Sequence, residues 1–265
     1  MQWIVDVVGE GFGQALAVED ILYDHYSPFQ HIQVATSPHY GRMLILDDAV
    51  QTTERDEHIY HEMLVHLPLA AHSDPRRVLI IGGGDGGTLE EVLKHPVETV
   101  TMVEIDREVV EVSRAYLPSI GGRAFDEPRT RLLIADGIAF VESTSEKFDA
   151  ILVDSTDPKG PGLALFSAEF YRACAGALNP SGVLAVQSGS PLYQRELADQ
   201  VRRHLAASFP AVLPYWAAVP SYPGTLWSFT LAQSTPGEFR HLTIPGLRYY
   251  SPAVARAALN FPPLP

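Results

Sequence analysis

Between residue 4 and about residue 53, short apolar runs at 4–8, 14–23, 31–35 and 42–47 are separated by Gly, Pro and Asp turn residues. That is the pattern of a small antiparallel sheet. Behind the acidic stretch Glu54-Arg55-Asp56-Glu57, Ile59, Met63 and Leu67 recur every four residues, which predicts an amphipathic helix with carboxylates in its first turn. The change of period sets a domain boundary near residue 55. It separates an N-terminal β-strand domain over 1–55 from a second domain over 56–265.

In the second part, strands predicted at 77–81, 99–105, 131–135, 148–153 and 182–187 alternate with helices at 87–94, 107–116, 137–143 and 167–178. These strands are almost continuously apolar, as when helices cover both faces of a parallel sheet. The expected fold class is therefore α/β: a doubly wound, mostly parallel Rossmann-like sheet of the methyltransferase type, preceded by the small antiparallel β domain.

Composition narrows the function classes. Acidic residues outnumber basic ones by 32 to 19, a net charge of −13 that repels nucleic acid and anionic lipid and attracts small cations. Cys174 is the single cysteine, so no intrachain disulfide and no thiolate cluster for zinc are expected, and a reducing compartment fits. No secretory signal is recognised at the start, and no stretch approaches the ~20 apolar residues that span a bilayer. A cytoplasmic protein without nucleic-acid or membrane partners is expected.

Candidate chemistry collects at the strand ends. Val78-Leu79-Ile80-Ile81 runs into Gly82-Gly83-Gly84-Asp85-Gly86-Gly87, a turn in which glycine lets the backbone approach a nucleoside without interference from Cβ atoms. Glu104 lies 22 residues after Gly82 and ends the next strand, where such folds bind ribose hydroxyls. Asp136, at a third strand end, could accept from an adenine amino group. A fourth strand ends in Asp154-Ser155-Thr156-Asp157-Pro158, so Asp154 and Asp157 should enter the same crevice and call for a cationic ligand there.

Charge then discriminates among nucleosides. Ordinary S-adenosylmethionine carries a carboxylate that a glycine-rich loop would meet with backbone N–H groups, and Asp85 would repel it. Opposite charges in a partly dry cleft attract by roughly several kcal/mol, so Asp85 favours the decarboxylated form, which keeps only its ammonium.

Gln51-Thr52-Thr53-Glu54-Arg55-Asp56-Glu57, Tyr60-His61-Glu62-Met63, 82–87, 103–106, 154–158 with Gly160-Pro161, and Tyr222-Pro223 together closely resemble the polyamine aminopropyltransferases, the spermidine synthases above all. The resemblance runs in order from about residue 14 to the end. It implies that Gln30, Gln51, Glu104, Asp136 and Gly137, with Gly82 and Gly84 of the loop, hold the adenosine part, and that Asp85 and Asp154 lie near the aminopropyl ammonium and the sulfonium. Tyr60, His61, Asp154, Asp157, Gln187 and Tyr222 would surround an acceptor diamine, putrescine before cadaverine, agmatine or spermidine. Asp154 would be the base, aided by Tyr60 or Tyr222. The family also implies a homodimer or homotetramer, with decarboxylated S-adenosylmethionine as co-substrate and no prosthetic group.

The chemistry is coherent on its own terms. An alkylammonium has no free lone pair, so a carboxylate must take a proton as the nitrogen attacks the carbon beside sulfur and releases methylthioadenosine. Alignment supplies most of the acceleration, and no metal is needed. The chain departs from many relatives at Ser188-Gly189-Ser190-Pro191 after Gln187, at Gly224-Thr225 after Pro223, and at Ala255, where a histidine is common. A methyltransferase on the same fold and a silent polyamine-binding protein are the alternatives. His58, His61 and His66 share one predicted helix but lack the spacing of zinc hydrolases, and His61 is expected to be neutral beside a cation. Tyr215, Trp216 and Trp227 read as packing of two C-terminal strands, and Tyr249-Tyr250 as packing too.

Overall fold

A computed structural model describes residues 2–9, 11–158 and 160–260. The N-terminal part is β1 (Gln2–Val7), β2 (Gly13–Val18), β3 (Asp20–Tyr26), β4 (His31–Ser37), β5 (Gly41–Leu46) and β6 (Ala49–Thr53). The apolar run at 14–23 is two strands: it breaks at Glu19, whose amide bonds the carbonyl of Thr36. Strand β6 was not anticipated, since its mixed sequence Ala-Val-Gln-Thr-Thr lacks a clear period. Strands β3 to β6 form one antiparallel sheet, while β1 and β2 form a separate hairpin. A lone hairpin is marginal in water. This one is secured because Leu16 and Val18 pack against Ala35, Met43, Ile45 and Val50.

Helix α1 (Glu57–Ala70) leads into the alternating part: β7 (Arg77–Gly82), α2 (Gly87–Leu93), β8 (Thr99–Glu104), α3 (Arg107–Tyr116), β9 (Thr130–Ile134), α4 (Gly137–Ser143), β10 (Phe148–Asp154), α5 (Ala168–Ala177) and β11 (Leu178–Gln187). Then follow α6 (Arg195–Ala206), β12 (Ala211–Ala218), β13 (Leu226–Gln233) and α7 (Pro252–Leu259). The seven strands lie in the order β12-β13-β11-β10-β7-β8-β9, with β13 antiparallel to its neighbours and the rest parallel. This is the doubly wound α/β sheet, with the small antiparallel β unit in front of it.

The strand sequence reverses direction between β7 and β10, and in open α/β sheets ligands bind beyond the carboxyl ends of the strands at that point. Two apolar layers cover the sheet. One holds Met63, Leu67, Ile80 and Leu152, and the other holds Leu79, Ile151, Phe170 and Val201. A third cluster joins Ile32, Val34 and Leu44 of the antiparallel sheet to Val109 and Val112 of α3, so the small sheet closes one side of the crevice.

Candidate active site

The carboxyl ends of β7, β8 and β10 open on a cavity of about 360 Å³. Gly82 has φ +82°, and a Cβ there would stand 2.2 Å from the carbonyl oxygen of Asp154. The next amide, Gly83 N–H, donates to that same carbonyl at 2.8 Å. Glycine is therefore required both by the positive φ and by the contact between the two strand ends. At Gly87 a Cβ would meet the His61 ring at 2.2 Å, so the start of α2 lies directly against that imidazole.

At the end of β8, Glu104 is buried and accepts from the amide of Asp106 at 2.8 Å. Burial raises its carboxyl to about 7, and nearby Asp106 adds to the shift while backbone donors oppose it. Asp106 caps α3 and accepts from Ser27 Oγ and Gln30 Nε2. Gln30 thus lines the cavity with its amide anchored from behind. Asp136 caps α4 through Ile138 N–H at 2.8 Å, with Gly137 as the first helical residue. Gln51 faces the cavity and donates to its own strand at Ala49 O.

Asp154 sits at the centre. Its Oδ1 accepts from Tyr60 OH at 2.9 Å and its Oδ2 from Thr88 Oγ1 at 2.7 Å. Burial raises its pKa, the Asp85 charge raises it further, and His61, Thr88 and Tyr60 counter the shift. Burial also drives Tyr60 and Tyr222 well above the usual phenol range, reinforced by Asp154, so both are O–H donors rather than bases. Asp85 accepts from Gly87 N–H at 2.8 Å through Oδ1, while its Oδ2 lies 3.4 Å from His61 Nε2. On the far side of the ring, Nδ1 lies 2.8 Å from Glu57 Oε2, and Glu57 pairs with Arg248. One donor atom each from His61, Asp85 and Asp154 lie within 4.8 Å of one another.

The expectation of a neutral His61 concerned the ring beside a cation; without one, the ring lies between two carboxylates. Burial opposes its charge, but Asp85 and Glu57 outweigh burial and hold the imidazole well above its ordinary pKa. The other two histidines of α1 take no part: His66 bonds His95 and Glu91 in the interior, and His58 is half-buried elsewhere.

A narrow hollow of about 30 Å³ adjoins the cavity and shares Gln51, Tyr60, Ser155 and Asp157 with it. Tyr222 walls it and donates to the Gln51 carbonyl at 2.6 Å; it does not reach Asp154 by a hydrogen bond. Gln187 donates to the carbonyls of Ser155 and Thr156 at 3.3 and 3.4 Å, and Asp157 accepts from Gln194 at 3.1 Å. The structure thus brings the proposed nucleoside residues to one cavity and groups Tyr60, Asp157, Gln187 and Tyr222 about the hollow.

Sequence reasoning missed Thr88, Gln194, Trp227 and Asp6. Trp227, taken as strand packing, also faces the hollow, as does Asp6, whose carboxylate accepts from Val50 N–H at 3.0 Å. A signal for Asp6 existed. Ile4 and Asp6 are the inward positions of β1, with buried Val8 just past its end, and a carboxylate in such a row is unusual without a polar cavity behind it.

Residues 57–241 match the family model described as the spermine/spermidine synthase domain, and residues 2–54 match the spermidine synthase tetramerisation domain. The chain is 44% identical to a polyamine aminopropyltransferase of Desulforudis audaxviator over 98% of its own length and 96% of that protein's. It is 44% identical to one from Shigella boydii, over 98% of this chain and 94% of the relative. Among solved structures, it matches a spermidine synthase in complex with the transition-state analogue AdoDATO at a TM-score of 0.95 and 36% identity, covering 98% of this chain and 92% of that one. It matches spermidine synthase from Thermotoga maritima at a TM-score of 0.93 and 35% identity, covering 99% and 92%.

Proposed function

Because this chain belongs to the spermine/spermidine synthase family and is a polyamine aminopropyltransferase, we propose that it moves the aminopropyl group of decarboxylated S-adenosylmethionine to a diamine, putrescine foremost. The products are spermidine and methylthioadenosine. The AdoDATO complex of a structural relative supports an adenosyl co-substrate.

In this proposal the ribose hydroxyls donate to Glu104, the adenine lies toward Asp136, and the aminopropyl ammonium is drawn to Asp85. The acceptor lies with its alkyl chain along the aromatic walls of the hollow and its reacting nitrogen against Asp154. As that nitrogen attacks the carbon beside sulfur, the C–N bond forms, the C–S bond breaks with its electron pair going to sulfur, and an N–H proton passes to Asp154. The hydroxyls of Tyr60 and Thr88 hold the carboxylate in line, which is where most of the acceleration arises. The observation that carries this proposal is Asp154 itself: a buried carboxylate fixed by two hydroxyls between a nucleoside-sized cavity and a slender hollow.

Purified protein with decarboxylated S-adenosylmethionine and putrescine should release methylthioadenosine, faster than with cadaverine, agmatine or spermidine. No release with any of these amines would overturn the proposal; faster turnover of another amine would replace only the choice of putrescine.

The two family matches, ending at 54 and starting at 57, support a division of the chain near residue 55. The match to a tetramerisation domain supports a homodimer or homotetramer, as do the exposed Trp3, Val5 and Val7 on the outer face of β1. Light scattering across a dilution series tests it. No helix among the described residues is long and apolar enough to cross a membrane, and a cytoplasmic location is proposed.

A further inference from the structure

Resting on the function proposed above, we propose that His61 carries a proton in the empty enzyme as a stand-in for the substrate cation, and that binding of the aminopropyl ammonium expels that proton to solvent. Geometry requires the first half. Both ring nitrogens of His61 face carboxylate oxygens, Glu57 Oε2 at 2.8 Å and Asp85 Oδ2 at 3.4 Å. A neutral imidazole has one N–H, so one nitrogen would present its lone pair to an acceptor-only carboxylate, whereas the imidazolium has a donor for each. The ring is buried, and its surroundings are strongly charged. Glu57 faces it from its own helix, Asp85 from the glycine-rich turn, Asp154 from the end of β10 and Glu90 from α2; the Tyr60 ring stands edge-on to it, and Arg248 acts through Glu57.

Charge counting supplies the second half. Four carboxyl groups, Glu57, Asp85, Glu90 and Asp154, surround one imidazole and, through Glu57, one guanidinium, so acidic groups outnumber basic ones before the ligand arrives. Decarboxylated S-adenosylmethionine brings two positive charges, and an ammonium on Asp85 and an imidazolium beside it compete for one carboxylate. The ammonium supplies donors to both Asp85 and the ring, so the Nε2–H bond breaks, the proton goes to a buffer base, and Nε2 keeps the electron pair. Nδ1–H still donates to Glu57.

Calorimetric titration of the whole enzyme with decarboxylated S-adenosylmethionine, in two buffers of different ionisation enthalpy at pH 7, reads the proton directly. The expected result is release of close to one proton per site more than methylthioadenosine releases. Methylthioadenosine, which has no ammonium, should release only the fraction of a proton that Glu104 gives up on meeting the ribose. The His61→Gln variant should bind decarboxylated S-adenosylmethionine with no more release than methylthioadenosine shows. Release by the wild type no greater than with methylthioadenosine, or undiminished release by His61→Gln, would overturn the inference while leaving the function standing; no binding at all would overturn both. If His61→Gln does not fold, ¹⁵N-histidine spectra of the wild type decide. An imidazolium in the free protein and a neutral ring in the complex support the inference, and the same state in both defeats it.

Discussion

The two halves of the cleft are built differently. The half proposed for the nucleoside is made from consecutive turns of one parallel sheet, where each βα unit delivers a side chain at its own carboxyl end: Asp85, Glu104, Asp136 and Asp154. The half proposed for the acceptor is gathered from far apart. Tyr222 bonds Gln51 across 171 residues, and Gln14 bonds Ser221, next to Tyr222, across 207. The first half follows from local rules that repeat, while the second exists only after the termini have packed onto the sheet.

The largest effect expected is at the junction of the halves. Asp154→Asn should reduce turnover by about 100-fold or more while leaving affinity for both reactants within a few-fold, as single-turnover and binding measurements would show. Comparable loss of binding would make Asp154 a binding group, and the halves would no longer meet at a base.

Glu104 tests the nucleoside half alone. Its carboxyl is raised in the folded protein, so its contribution to stability is fully present below about 4.5, its ordinary value, and is lost as pH rises through about 7. The shift corresponds to at most about 3 kcal/mol. Glu104→Gln should melt like the wild type at pH 4 and above it at pH 8. It should also abolish the tightening of methylthioadenosine binding expected for the wild type as Glu104 ionises. Identical melting of the two proteins at pH 8 would show that burial of this carboxylate carries no such cost.

Asp85 separates charge from nucleoside recognition. Asp85→Asn should weaken decarboxylated S-adenosylmethionine about tenfold, the scale of one charged hydrogen bond, with methylthioadenosine unchanged in the same titration. The smallest effect belongs to the acceptor half: Tyr222→Phe should raise the KM for putrescine about fivefold, the scale of one neutral hydrogen bond, with kcat nearly constant. An equal rise in KM for the nucleoside co-substrate would show that the halves are coupled through Gln51.

This contrast also explains how much could be read from the sequence. The glycine turn, the acidic strand ends and the doubly wound sheet have signatures within 10 to 25 residues, and they predict the fold and the nucleoside half. The tether from Tyr222 to Gln51, the support of Asp157 by Gln194 and the placement of Asp6 depend on pairings that no local pattern encodes. The charge of His61 in the ligand-free protein was hidden for the same reason. Its partner Glu57 sits one helical turn away and was visible, but the approach of Asp85 is set by Gly87 lying flat against the ring. Charge on an imidazole is a property of what surrounds it on both sides, and one of those sides was out of reach.

The backbone bond from Gly83 N–H to the Asp154 carbonyl gives the glycine turn and the base a common origin. Whatever drifts elsewhere in the chain, the turn proposed to seat the electrophile and the proposed base move together. Selection for amines of other lengths can therefore rework the hairpin and the β12–β13 loop, since neither change resets the line along which the reaction runs.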